Sequence, residues 1–184
     1  MEGLFVRDFA PKEMPVMEGE DFERLMSLSA SGIRGKRDGA MIALLCETGI
    51  RVSELVSLDR VDFDLDRHLV GCGSGEKRRL LPVTPSTCRL LDGYLTLARI
   101  QSPQEQALFL GSTGRRLTRQ GFWKILKEHG ERMGIADCTP QVLRQSFAKY
   151  LLRRGESRGQ VKFLLGNGSD AALRNYEKQV KDEI

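Results

Sequence analysis

The side chains able to do chemistry in this sequence are mostly cationic, and few are of the metal-binding kind. Cys46, Cys72, Cys88 and Cys138 form no CxxC pair, and His68 and His129 stand in no HExxH or clustered His/Cys pattern. A zinc site or metal-centred hydrolase is not indicated, and the thiols read as reduced, in core or neutral surface positions. Residues 1–110 carry 14 Lys and Arg against 17 Asp and Glu, whereas residues 111–184 carry 15 against 8. A polyanion would meet the second part. Within it, Arg144, Lys149, Arg153, Arg154, Arg158 and Lys162 are set against one acid, Glu156. The segment TGRRLTRQGFWKILK (Thr113–Lys127) sets Arg115, Arg116, Arg119, Gln120 and Lys124 at or near a helix start. Arg and Gln read G and A edges, and Lys and helix N-termini hold phosphates; the same composition also suits a solvated amphipathic face. Lys77, Arg78 and Arg79 form a further basic run suited to contacts with a DNA backbone.

Holding such groups in place requires elements, and the hydrophobic period supplies them. Residues 1–17, with Pro11 and Pro15 among mixed charges, read as a lead-in arm. From Glu18 the period is helical: Phe22, Leu25, Met26 and Leu28 form one stripe, then Met41, Ile42, Leu44 and Leu45 another that stops at Gly49. Val52 to Leu58 is a short third helix. In LDRHLVGCGSGEKRRLLPV two β-rich runs flank a Gly-Ser-Gly-Glu tip, which predicts a hairpin, and ALFL (107–110) predicts a third short strand. Pro85 opens a helix to about Ile100, Thr118 caps one to about Met133, and Thr139-Pro140 starts one that ends near Gly155. That last helix buries Val142, Leu143, Phe147, Leu151 and Leu152 on one side. Helices near 157–165 and 170–181 complete a mainly α fold with a small antiparallel β-sheet, an α+β class.

At 184 residues the chain has the length of one domain, 18–184, with enough apolar content for a real core. No apolar run approaches the roughly 20 residues that span a bilayer, and the start lacks the apolar centre of a secretion signal. A cytoplasmic location is expected, nucleoid-associated when bound to DNA.

GIRVSEL (Gly49–Leu55), the hairpin ending RRLLPV, TPQVLRQSFAKYLL, LLGN and Tyr176 follow one another in an order that resembles the catalytic domain of the tyrosine recombinases, the phage integrase and Xer family. The resemblance runs from about Glu18 to Tyr176. It implies site-specific recombination or integration: a tyrosine hydroxyl attacks a DNA phosphodiester, forms a 3′-phosphotyrosyl link, releases a 5′ hydroxyl, and the reversal rejoins the strand to a new partner. Bond energy is conserved, so no metal, ATP or other cofactor is implied. By resemblance Tyr176 is the nucleophile, and Arg51 and Arg144, 93 residues apart, fork onto the non-bridging oxygens. The helix of Arg119 would face the DNA groove. The partners implied are double-stranded DNA and other subunits, or a partner recombinase, in a tetrameric synapse.

Three positions depart from the family's pattern. Gln141 stands three residues before Arg144, and Asn167 nine residues before Tyr176, where the family has histidines. Their amides can hold a phosphate oxygen but carry no proton. Ser74 stands where the hairpin offers a lysine to protonate the leaving oxygen; Lys77, three residues on, either reaches that place or touches only the DNA backbone. Each missing acid–base group removes about 100- to 10,000-fold. Slow chemistry is expected, with a catalytically impaired DNA-binding homologue as the alternative. Residues 1–17 are too short to encode the N-terminal core-binding domain that the family carries, so either an excised fragment or a gene that has lost parts is expected.

Overall fold

The structure, a computed structural model, describes residues 21, 25, 32–135, 137–166, 173 and 174; for Lys77 and Arg99 it describes the backbone only. Its centre is helix α1 (Gly32–Thr48), in which every residue from Gly39 to Thr48 is buried. A helix apolar on all sides is stable only when wrapped by others, and α3 (Pro85–Gln101) and α5 (Pro140–Arg153) pack against it. Helix α1 ends where the sequence predicts, at Gly49, whose φ of +59° is left-handed. The short α2 (Val52–Ser57) follows at once.

A three-stranded antiparallel sheet comes next, formed by β1 (Phe63–Asp64), β2 (Leu69–Cys72) and β3 (Arg79–Pro82) in the order β1-β2-β3. The hairpin register pairs Val70 with Leu81 and Cys72 with Arg79. Alternation along the pleat sends Arg79 and Leu81 inward and leaves Leu80 exposed. A 3₁₀ turn, Gly75–Lys77, forms the tip. One expectation is corrected here: the third strand is Phe63–Asp64, and ALFL makes only isolated bridges, Asp59 to Ala107 and Leu110 to Arg116. Its backbone groups go to separate partners instead of one ladder: Leu108 N–H to the Leu58 carbonyl, the Phe109 carbonyl to Leu117 N–H, and Leu110 N–H to the Tyr94 hydroxyl. Strand-like composition reflects burial, which this segment has, as much as pairing.

Two of the later helices begin at the predicted caps, Thr118 and Thr139. Thr84, Thr118 and Thr139 accept from the N–H groups of Thr87, Gly121 and Val142, starting α3, α4 (Arg119–Met133) and α5, while Ser157 accepts from Gln160 to start α6 (Arg158–Leu164). Pro85 and Pro140 occupy first-turn positions that need no amide donor. The helices expected from Glu18 and near 170–181 lie largely outside the described residues; Asp21, Leu25, Leu173 and Arg174, which are described, are helical.

One core cluster joins all these elements, from Leu44 in α1 through Leu91, Phe122 and Phe147 to Leu164. It also encloses Glu47, 1% exposed, which accepts the Thr84 N–H and the hydroxyls of Thr84 and Thr87 and so ties α1 to the start of α3. All four cysteines are free and buried, and burial pushes the Cys88 and Cys138 thiols up to about 11 and Cys72 to about 12. Thiols held protonated in this way are poor nucleophiles. Among the described residues no helix is long and apolar enough to cross a membrane.

Candidate functional site

Among the described residues, the segments that carry Arg51 and Arg144 come together where the end of α1, the start of α5 and the turn after α6 meet, and the hairpin joins them through Arg79. Arg51 is the N-cap residue of α2, in extended conformation, with an exposed side chain. Gly49 sets this up. A Cβ there would lie 2.4 Å from Phe147 Cδ1 and 2.8 Å from Leu165 Cδ2, so only glycine lets the α1–α2 turn sit against α5 and the α6 exit. Arg144, in the second turn of α5, donates through Nη1 to the Gly49 carbonyl and through Nη2 to the Leu165 carbonyl at 2.7 Å. The two arginine-bearing segments, 93 residues apart in sequence, are thus bridged by a side chain of one and the backbone of the other. Gln141 is exposed in the first turn of α5. Asn167 and Tyr176 lie outside the described residues.

Beneath Arg51 is a polar layer that sequence reasoning missed. The Glu54 carboxylate accepts the Arg51 N–H at 2.8 Å and a two-pronged contact from Arg79, Nη1 to Oε1 at 2.7 Å and Nη2 to Oε2 at 3.1 Å. Arg79 Nε donates to the Leu164 carbonyl at 2.8 Å. Burial by itself would raise the Glu54 carboxyl, but the hydrogen bonds from Arg79 and from the Arg51 N–H, together with both positive charges, hold it below the ordinary carboxylate range. A signal was available: an acid three residues after a helix N-cap is the reciprocal half of a capping box.

Arg79 is therefore corrected as a DNA-backbone contact. It is 4% exposed and its guanidinium is occupied by Glu54 and Leu164. Arg78, its neighbour on the opposite side of the pleat, is exposed and pairs with Asp62 at 3.0 Å. Ser74 is exposed at the hairpin tip. With Gly71, Cys72 and Gly73 it lines a cleft of about 390 Å³ that Ser53, Glu54, Ser57, Leu58 and Asp62 also line. Lys77 closes the 3₁₀ turn beside it.

The second basic group is also divided. Arg119 and Gln120 are exposed at the first turn of α4, and Lys124 lies exposed one turn on, 3.9 Å from Glu128. Arg115 is exposed in the preceding loop. Arg116, although partly exposed, donates to the carbonyls of Val56 and Leu58 at 3.0 Å each and to Asp59, clasping the end of α2. Lys149 is half-buried on α5. Trp123, 47% exposed beside Arg119 and Lys124, is an aromatic surface among cations.

Comparison with known proteins bears on this arrangement. The pattern that defines the phage integrase family matches residues 15–183. Tyrosine recombinase XerC of Herpetosiphon aurantiacus is 45% identical over 172 residues, covering 91% of this chain and 56% of the relative. Tyrosine recombinase XerD of Oceanobacillus iheyensis is 37% identical over 175 residues, covering 92% and 59%. The chain thus spans just over half the length of these relatives. A crystal structure of XerA recombinase superposes with a TM-score of 0.79 at 29% identity, covering 94% of this chain and 63% of that one. XerH recombinase bound to its difH DNA shares the fold, with a TM-score of 0.77 at 23% identity over 93% of this chain and 52% of that one.

Proposed function

The chain belongs to the phage integrase family of tyrosine recombinases, and from that premise we propose that residues 18–184 act as the catalytic domain of a site-specific DNA-breaking and rejoining enzyme. The Tyr176 hydroxyl oxygen attacks the scissile phosphorus, the bond to the 5′ oxygen breaks, and the DNA 3′ end is left joined to the tyrosine. A 5′ hydroxyl from the same or another strand reverses the step, so no external energy source enters. Arg51 and Arg144 hold the non-bridging oxygens as charge grows on them, and amide N–H groups of Gln141 and Asn167 hold the same phosphate. Lys77 is the proton donor nearest in sequence to the place of Ser74.

The observation that carries this reading is the Arg144 bridge between the carbonyls of Gly49 and Leu165. It makes the Arg51 turn, the second arginine and the turn before Asn167 one packed unit, and catalysis by fixed charges requires such preorganisation. Exposed Arg115, Arg119, Gln120 and Lys124 on and before α4, with Arg78 on the hairpin, supply the contacts to double-stranded DNA. Strand exchange then takes place in a tetrameric synapse of this chain or with a partner recombinase, on nucleoid DNA in the cytoplasm.

A second reading has its own observation, the triple substitution Ser74, Gln141 and Asn167, which removes three proton carriers. In it the protein occupies recombination sites without cutting. Incubation with suicide duplexes from the protein's genomic neighbourhood, scored for a covalent adduct on a denaturing gel, separates the two. The catalytic reading expects an adduct absent from Tyr176→Phe. Salt-sensitive binding without adduct overturns it in favour of the second.

A further inference from the structure

We infer that Arg79 is a positioning residue for DNA cleavage, acting from beneath the site and not on the DNA. The inference rests on the recombinase reading, and it starts from three contacts of one side chain. Arg79 lies on β3 opposite Cys72, where the pleat turns it away from the exposed Leu80 and into the protein. Two of its nitrogens grip the Glu54 carboxylate, and the third binds the carbonyl of Leu164, 85 residues away in sequence. Glu54 passes the restraint on by accepting the Arg51 N–H, so the backbone that carries Arg51 is fixed through one carboxylate to the hairpin.

The guanidinium also meets Gly166. Gly166 adopts φ +63°, and a Cβ at that position would lie 2.6 Å from Arg79 Nη1 and 2.7 Å from Cζ. The turn that leads into Asn167 thus rests directly on the Arg79 guanidinium. Its two preceding carbonyls are each claimed by an arginine, Leu164 by Arg79 and Leu165 by Arg144. Arg79, buried, thus ties the Arg51 turn, through Glu54, to the 164–166 turn, beside the direct bridge that Arg144 makes between the same two segments. A planar fork with fixed donor directions is suited to this and an ammonium is not. The Arg79 side chain is 3% exposed and that of Glu54 14%, so removing either partner strands a charge at the cost of partial burial.

The test compares Arg79→Gln and Arg79→Lys with wild type and with Leu95→Ala, a core variant in α3 used at temperatures where all are folded and matched for loss of Tm. Duplex affinity, its salt slope and the single-turnover rate of adduct formation are measured. Both Arg79 variants are expected to bind within about twofold of wild type with the same salt slope, since no phosphate contact is lost. Their adduct rate falls about tenfold to a hundredfold, the scale for displacing a reacting group by up to an ångström. Lysine does not rescue, and Leu95→Ala keeps the wild-type rate. Weaker binding with a slope reduced by about one identifies a phosphate contact and overturns the inference; so does an unchanged rate, or an equal loss in Leu95→Ala. If wild type forms no adduct, the recombinase reading alone fails. Amide exchange then decides: Arg79→Gln must speed exchange at Arg51, Leu165 and Gly166 and spare α3, and uniform or absent change refutes the positioning role.

Discussion

Gly49→Ala perturbs the site at its tightest point, and its cost can be worked from geometry. Two effects add. The left-handed φ of +59° strains any residue with a Cβ, by about 1–2 kcal/mol. The new Cβ also enters space held by Phe147 Cδ1 at 2.4 Å and Leu165 Cδ2 at 2.8 Å, both on buried side chains, and overpacking of this kind costs about 1–3 kcal/mol. The sum is about 2–5 kcal/mol, or a Tm lower by roughly 4–20 °C for a chain of this size. Gly155→Ala separates the two effects, because Gly155 has φ +85° and no heavy atom within 4 Å of where its Cβ would stand, leaving strain alone at about 1–2 kcal/mol. Urea unfolding of the two variants, read as midpoints at constant m, gives the difference directly. Equal losses within about 0.5 kcal/mol would refute the claim that close packing, not backbone conformation alone, demands glycine beside Arg51.

Burial lifts the Glu47 carboxyl above its ordinary value although Thr84 and Thr87 donate to it, so the folded chain holds that proton more tightly than the unfolded one. Stability from this group therefore grows as pH falls through the folded value and levels off below the unfolded value near about 4.3. Wild type should gain stability on Glu47→Gln between pH 8 and pH 4 in paired thermal melts, and a flat or opposite difference would sink the idea. Glu54 has the opposite sign: its lowered carboxyl contributes stability present above the unfolded value and lost as pH falls through the folded one, so Glu54→Gln should flatten acid unfolding below about pH 4. Arg119→Ala should weaken duplex binding and reduce the salt slope by about one. Arg116→Ala, which breaks contacts to Val56, Leu58 and Asp59, should lower Tm more than Arg115→Ala does; the reverse order would show that the clasp contributes nothing. Thr139→Ala should cost about 0.5–2 kcal/mol through the lost cap of α5, measured by denaturant titration.

Much of the fold was legible because its signals are local. Thr84-Pro85, Thr118, Thr139-Pro140 and Ser157 announce helix starts through side chains that bond within the next three residues, and Gly49 and Gly134 end helices through their own φ angles. The ordered motifs from Gly49 to Tyr176 likewise made the family legible, since order along a chain is a property of sequence. What escaped is non-local. Phe63–Asp64 pairs as a strand because β2 lies beside it, whereas the more apolar ALFL is claimed residue by residue by Leu58, Tyr94 and Leu117. Lys77, Arg78 and Arg79 are one basic run in the sequence, and nothing in the letters separates them. The hairpin register turns Arg79 inward onto Glu54, 25 residues away, and leaves Arg78 outside. The sequence by itself determined which residue types were available for holding a phosphate; tertiary structure alone decided which arginines face outward and which lie below, because a charge can be buried only where the fold brings a partner to it.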